Sequence, residues 1–577
     1  MDNSEPINSI TRISLASDGT ESNGYSGSNS ISDNGRYIPF SSNATNLVPN
    51  DTNNYVDTFI YDRIEQTVEL ISLAPDGTQA NNSSSSGSIS GNGRYVTFAS
   101  FATNLVANDT NAKRDIFIYD RVAKTTELIS TAPNAAIAND DSYFSVINDN
   151  GRYVAFESDA DNLVANDNNG QRDIFIRDRV EQTTELVSVN SDGTQANGFS
   201  ELGSISDDGR YIVFESDADN LVANDNNGQR DIFIRDRVEQ TTELVSVSSS
   251  GTQANGVSEY SSISGNGRYV IFESDANNLV ANDTNKKRDI FVYDRVEQTT
   301  ELVSMSGDGT IGNLDSSNPS ISDDGRYIAF LSDANNLVTD DTNQRSDIFI
   351  YDRVEKTTTR TEADSFASIS GNGQYVVFNS GLDDLVFEDT NEAGDVFAID
   401  LNELVGGFGM NRFNTDEVHR FYQYEKGFHF YTTDDVEIDY VIEKSLAGEL
   451  SYQYEEEKFR VLADDKDALT GATLEGVDAV YRFFNTETGV HLYTTDEVER
   501  AFIEENLPNY SPEGIKYYAF ESKPEGIETI PVFRMLNTDT GSHLYTIEQS
   551  ELNYIQDNLP NFSLENNGEA TFHVFEL

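Results

Sequence analysis

Cysteine is absent from this chain of 577 residues. That excludes disulfide staples, thiolate catalysis and cysteine-ligated metal. Basic residues are scarce: 38 Lys and Arg stand against 100 Asp and Glu, for a formal net charge of -62. A field of that sign repels nucleic acid and anionic membrane, so neither is expected as a partner. It suits high solubility, cationic partners or divalent cations. No apolar run is long enough to span a bilayer, and membrane insertion is not expected. Met1-Asp-Asn-Ser-Glu-Pro has no basic stretch leading into an apolar one, so no cleaved secretory signal is expected. Histidine is rare, and all five copies lie beyond Gly407. No G-x-S-x-G elbow joins a strand to a helix, which removes the usual serine-hydrolase arrangement.

A repeated phrase fills the first two-thirds of the chain. S-I-S-x-x-G-R-Y places its glycine at Gly35, Gly93, Gly151, Gly209, Gly267, Gly325 and Gly373. Five gaps are 58 residues and the last is 48; D-[ITV]-F-x-x-D starts 22 residues after each glycine, as at Asp57 and Asp115. A period of this kind marks an array of supersecondary units. Each period reads as four short antiparallel strands. Around Gly267 they are Ser262-Ile-Ser264, Tyr269-Val-Ile-Phe272, Asp289 to Tyr293, and Thr299 to Ser304. The seventh copy lacks the last strand, and Ile13-Ser-Leu-Ala16 stands one period before Ile71 to Ala74. The N-terminal strand is therefore expected to complete the last blade and remove two free edges.

Hydrophobic content of 37% with 11% aromatics supports packed cores, and the length calls for more than one domain. The expected architecture is an all-β seven-bladed β-propeller over residues 8–404, a linker at 405–411, and a C-terminal α+β domain of three internal repeats over 412–577. The phrases I-S-x-D-G-R-Y-[IV]-x-F, N-L-V-x-x-D-[TN]-N and D-I-F-[IV]-x-D resemble the TolB-type, WD-like propeller repeat of bacteria. That resemblance implies architecture and a bias toward protein binding.

Catalysis needs unlike residues converging on one place. These copies are alike instead: Glu157 to Val189 is identical to Glu215 to Val247. No catalytic residue is assigned. The polar loop Asp109-Thr-Asn111-Ala-Lys-Arg-Asp115 offers oxygens of the kind calcium takes, but it lacks the helix–loop–helix spacing and a bidentate glutamate. Turn capping by Asp and Asn is the favoured reading, and no cofactor is assigned, calcium being the possible one. The long fourth-to-first-strand connections, such as Asp192 to Asn197, mark the face expected to dock a protein partner.

Beyond Gly406-Gly407 a second repeat takes over. Its three copies present Arg420, His429 and Tyr431; Arg482, His491 and Tyr493; and Arg534, His543 and Tyr545. Each copy reads as a strand, a turn and a returning strand, followed by an acidic helical stretch. The phrase R-F-[FY]-N-x-x-T-G-x-H-[FL]-Y-T-T resembles a bacterial repeat domain of unknown function. The first copy departs from it at Tyr424-Glu-Lys-Gly. Alternation puts Arg482, Phe484, His491 and Tyr493 on one face. Guanidinium, imidazole and phenol beside a ring suit a sugar or an acidic glycan; a buried, satisfied network holding each hairpin to its helix uses the same residues and is the favoured reading, because periodic aromatics usually form the core. Three histidines meeting at one zinc are not expected.

The expected function is a non-enzymatic binding or scaffold protein, monomeric, with the C-terminal domain attaching it to polysaccharide or protein. A glycan hydrolase or lyase using Asp434 and Asp435, or Asp496 and Glu497, is the alternative, as is a calcium-dependent adhesin. Acidic, cysteine-free composition resembles bacterial proteins exported unfolded in one step, which implies an extracellular or cell-surface site; the cytoplasm is the alternative.

Overall fold

The computed structural model describes residues 10–401 apart from scattered loop positions and, from residue 413 onward, the segments named below. It separates into two compact units, residues 1–408 and 409–577. Residues 405–411 lie outside the described residues.

Unit 1 contains seven four-stranded antiparallel sheets among the described residues. Sheet 2 is representative, with strands Ser84–Ile89, Tyr95–Ser100, Asp115–Asp120 and Thr125–Leu128. Sheet 1 is formed by Ser26–Gly27, Tyr37–Ser42, Asp57–Asp62 and Thr67–Leu70, and sheets 3 to 6 begin at Ser142, Ser200, Ser258 and Ser316. Sheet 7 takes three strands from Ala367–Ile369, Tyr375–Ser380 and Asp395–Asp400, and its fourth from Ile10–Arg12. There Ile10 pairs with Ile399 and Arg12 with Phe397. The closing strand thus lies three residues before the expected Ile13-Ser-Leu-Ala16. The Ile13 N–H still donates to the Val396 carbonyl at 2.8 Å, and then the serine side chain takes over from the ladder: Ser14 Oγ donates to Asp395 and accepts from the Val396 N–H.

The repeated phrases are the joints between sheets. Gly151 has φ +74°, and a Cβ there would lie 2.2 Å from a ring carbon of Tyr95 in the preceding sheet. The position therefore admits only glycine comfortably. Arg152 then grips Asp178 of its own third strand with both ends of its fork, at 2.8 to 3.2 Å. The arginine that follows the third strand reaches backward, as Arg121 stacks 3.9 Å from the Tyr37 ring centroid and donates to the Gly93 carbonyl. The same joint closes sheet 7 onto sheet 1, where Arg63 stacks 3.8 Å from Tyr375. Inside each sheet a phenylalanine pair such as Phe98 and Phe117 stacks at 5.6 Å.

First strands begin earlier than the sequence suggested, at Ser258 rather than Ser262, and carry a bulge between Glu259 and Ser262. The strand directions fix two ends. Fourth-to-first and second-to-third connections share one end; the G-R-Y turns and third-to-fourth turns share the other.

Unit 2 is mostly strand among its described residues. Phe413–Gln423 pairs with Phe428–Thr432 and Tyr452–Asp467. Val477–Asn485 pairs with His491–Thr494 and Tyr510–Phe520. Ile530–Asn537 pairs with His543–Thr546, Phe562–Leu564 and Phe572–Val574. A helix, Glu497–Asn506, follows the second hairpin and buries Ile503 against Phe483 and Leu492.

Candidate binding sites

In unit 2 the repeated tyrosines meet. The three rings stand nearly perpendicular, with centroids 5.4 to 5.9 Å apart. Tyr431 Oη donates to the Tyr545 carbonyl at 2.6 Å, Tyr545 Oη to the Tyr493 carbonyl at 2.7 Å, and Tyr493 Oη to the Tyr431 carbonyl. Each hydroxyl also accepts the backbone N–H of one of the other two, at 2.9 to 3.1 Å. The rings are at most 3% exposed. The cycle is the buried network that these residues also allowed, and the phenols face one another's backbone rather than a ligand.

The arginines join carboxylates. Arg534 pairs through both terminal nitrogens with Glu499, on the helix of the preceding copy, at 2.9 and 3.1 Å. Arg482 is 2% exposed and donates Nε to Glu513 at 2.6 Å. His491 Nε2 lies 3.3 Å from the same oxygen, and its ring packs 5.1 Å from Phe484. Burial pushes the Glu513 carboxyl up, but the His491 hydrogen bond and the Arg482 charge outweigh it and hold it down at about 2. Arg420 is also buried. For His429 and His543 the register is described, opposite Tyr422 and Leu536, and the side chains are not. Asp434, Asp435 and Asp496, and the side chain of Glu497, lie outside the described residues.

Unit 1 presents a constellation that motif reading missed. All five exposed aromatic rings among its described residues, Tyr25, Tyr55, Phe101, Tyr260 and Phe366, sit at the end that carries the fourth-to-first connections. Exposed Ile64, Val122, Val238, Val296 and Val354 sit at the other end, in the third-to-fourth turns. At the aromatic end, arginines alternate with rings. Arg114 lies 5.9 Å from both Phe101 and Tyr143, Arg172 3.6 Å from Tyr143 and 5.1 Å from Phe199, and Arg230 5.6 Å from Phe199.

Carboxylates balance most of these arginines. Arg172 meets Glu157 and Asp159, Arg230 meets Glu201 and Asp217, and Arg288 meets Glu273 and Asp275. Burial raises Glu157 and Glu273 to about 7 and, with the neighbouring Glu201 charge, Glu215 to about 8. Sheet 2 departs from this pattern. Ala99 stands where sheets 3, 4 and 5 have Glu157, Glu215 and Glu273. No ion pair forms at Arg114 among the described residues; its Nη2 donates to Ser85 Oγ at 2.6 Å. Burial disfavours its charge.

Arg114 lines a pocket of about 140 Å³ with Ser85, Ser86, Tyr143 and Phe144. A larger pocket of about 350 Å³ shares Ser86 and continues along Ser28, Ser41, Tyr25 and Asn379. A column-by-column alignment of the copies exposes the Ala99 difference; a search for shared motifs hides it. No group of three or more His, Asp or Glu side chains is poised to hold a metal among the described residues.

Comparison with curated proteins finds no match. Solved structures similar to this chain include oligogalacturonate lyase from Vibrio parahaemolyticus, at 12% identity and TM-score 0.42, covering 68% of this chain and 93% of that one. TolB from Acinetobacter baumannii is similar at 15% identity and TM-score 0.33, covering 60% and 76%. The β-propeller domain of the Trilobed protease from Pyrococcus furiosus is similar at 12% identity and TM-score 0.41, covering 65% and 95%. The structural neighbours thus include TolB and other propeller proteins, and residues 417–571 match the family described as Domain of unknown function (DUF5648).

Proposed function

We propose that the protein is a non-enzymatic binding protein whose propeller, not its C-terminal unit, carries the ligand site. The seven sheets are the blades of one closed seven-bladed ring, and the end with the long connections is the receiving face. The single observation behind this reading is the Arg114 pocket, which joins a desolvated guanidinium to hydroxyls and two rings. Such a set takes a carboxylate with hydrogen bonds and a sugar or aromatic face by stacking. The global charge disfavours a dense polyanion, so a polymer with sparse carboxylates fits better. A polysaccharide with occasional uronic acids has that chemistry. Unit 2 serves as the attachment module, and the site of action is outside the cell.

The test is retention of the full chain on sparsely uronylated polysaccharide beside neutral glucan. Retention on the former alone, lost in Ala99→Glu and Arg114→Ala, is expected. Ala99→Glu installs the glutamate that sheets 3 to 5 already carry, so it neutralises Arg114 without disturbing the fold. Retention unaffected by Ala99→Glu, or none at all, would end the proposal and direct the search to protein partners.

A further inference from the structure

Each sheet of unit 1 brings together one aspartate from the loop before its third strand and the aspartate that opens that strand, and the copies differ in how they balance the pair. In sheet 3, Gln195 Nε2 donates to Asp167 Oδ1 at 2.7 Å and to Asp173 Oδ2 at 3.0 Å. In sheet 4, Gln253 does the same for Asp225 and Asp231. In sheet 6 one nitrogen of Arg360 lies 3.6 Å from Asp341 and 3.1 Å from Asp347. In sheet 7, Arg12 meets Asp389 at 2.9 Å, with Asp395 at 3.9 Å and Glu21 alongside. Sheet 1 has Gln79, turned to the Asn50 carbonyl and Thr52.

Sheets 2 and 5 have neither residue type. Ile137 and Ile311 occupy the glutamine position, fixed by the same bridges that place Gln195 and Gln253. Leu128 and Leu302 occupy the arginine position. Asp109 and Asp283 are 6% and 7% exposed. Asp109 Oδ1 and both carboxylate oxygens of Asp283 are buried without a hydrogen-bond partner. Asp115 and Asp289 beside them each receive a serine hydroxyl and an asparagine amide.

We propose that sheets 2 and 5 each bind a calcium ion between these carboxylates, Asp109 with Asp115 and Asp283 with Asp289. Burying an unbalanced carboxylate is costly. Sheets 3, 4 and 6 hold the pair close enough for one nitrogen to reach both members. Two carboxylates balance a divalent charge, and calcium tolerates an irregular shell completed by water and backbone oxygens.

The test is thermal unfolding and calorimetric titration of the full chain, in chelator and in millimolar calcium. Two ions per chain and a rise of about 2–4 °C are expected. Ile137→Gln with Ile311→Gln copies the solution of sheets 3 and 4. That variant should unfold at a higher temperature than wild type in chelator and lose the calcium increment. Asp109→Asn with Asp283→Asn should lose the increment too. A wild type without calcium response overturns the proposal. So does an increment that survives Ile137→Gln with Ile311→Gln, which would mark diffuse counter-ion binding to an acidic chain.

Discussion

Tyr493 has its hydroxyl and its ring in one closed cycle, so removing the oxygen alone separates hydrogen bonding from packing. Tyr493→Phe leaves the Tyr431 N–H and carbonyl without their shared partner in a dry core. A loss of about 1–3 kcal/mol is expected in urea unfolding, and an unchanged midpoint would disprove the cycle. The buried glutamates of sheets 3 to 5 give a second prediction at this scale. Their carboxyls lie raised to about 7 or 8 in the folded protein, against about 4.3 unfolded. The folded state therefore binds more protons between those values, and the stability this confers is present at low pH and lost as pH rises through 7 to 8. The melting temperature should fall from pH 5 to pH 8, and fall less when Glu157, Glu215 and Glu273 are all glutamine. Equal slopes would refute the assignment. Sequence reading stops short at this scale for a physical reason. Arginine, histidine and tyrosine at alternating hairpin positions serve a ligand or a core equally well, and only burial decides between them.

At the scale of the element, the period was legible because the glycine and tyrosine of the repeated phrase form the joint between sheets and stand in all seven copies. Gly151→Ala would combine a left-handed backbone with a side chain driven into Tyr95. A loss of about 2 kcal/mol or more is expected, read as a lower urea midpoint; full stability would mean that the ring is not seated there. Strand boundaries were less legible. The bulge after Glu259 lets the first strand continue four residues earlier, and Ser14 ends the closing strand by replacing a backbone partner with a hydroxyl. The serine does recur every 58 residues, as Ser72 and Ser130, each donating to the aspartate that opens its third strand, but its spacing does not say where the pairing stops. Removing residues 10–16 would strip Asp395–Asp400 of its pairing partner and Asp389 of Arg12. That variant should melt well below the intact chain and aggregate through the freed edge. A soluble product of unchanged melting temperature would count against the closure.

Across the whole molecule, the net charge of -62 opposes compaction at every pH where the carboxylates are ionised. Raising sodium chloride from 0.01 M to 0.5 M, which shortens the screening length about sevenfold, should raise the melting temperature in chelator. A flat response would show that local pairing already neutralises the field. Closure has a consequence in time. Ile10–Arg12 is synthesised before its partner, Asp395–Asp400, which follows some 385 residues later. At bacterial or eukaryotic elongation rates that is a wait of about 20–80 s. Until then six sheets can form while the seventh lacks both its third strand and the closing one. Meanwhile the early strand has no partner within its own chain, and a second copy that has already made Asp395–Asp400 presents the same edge to it.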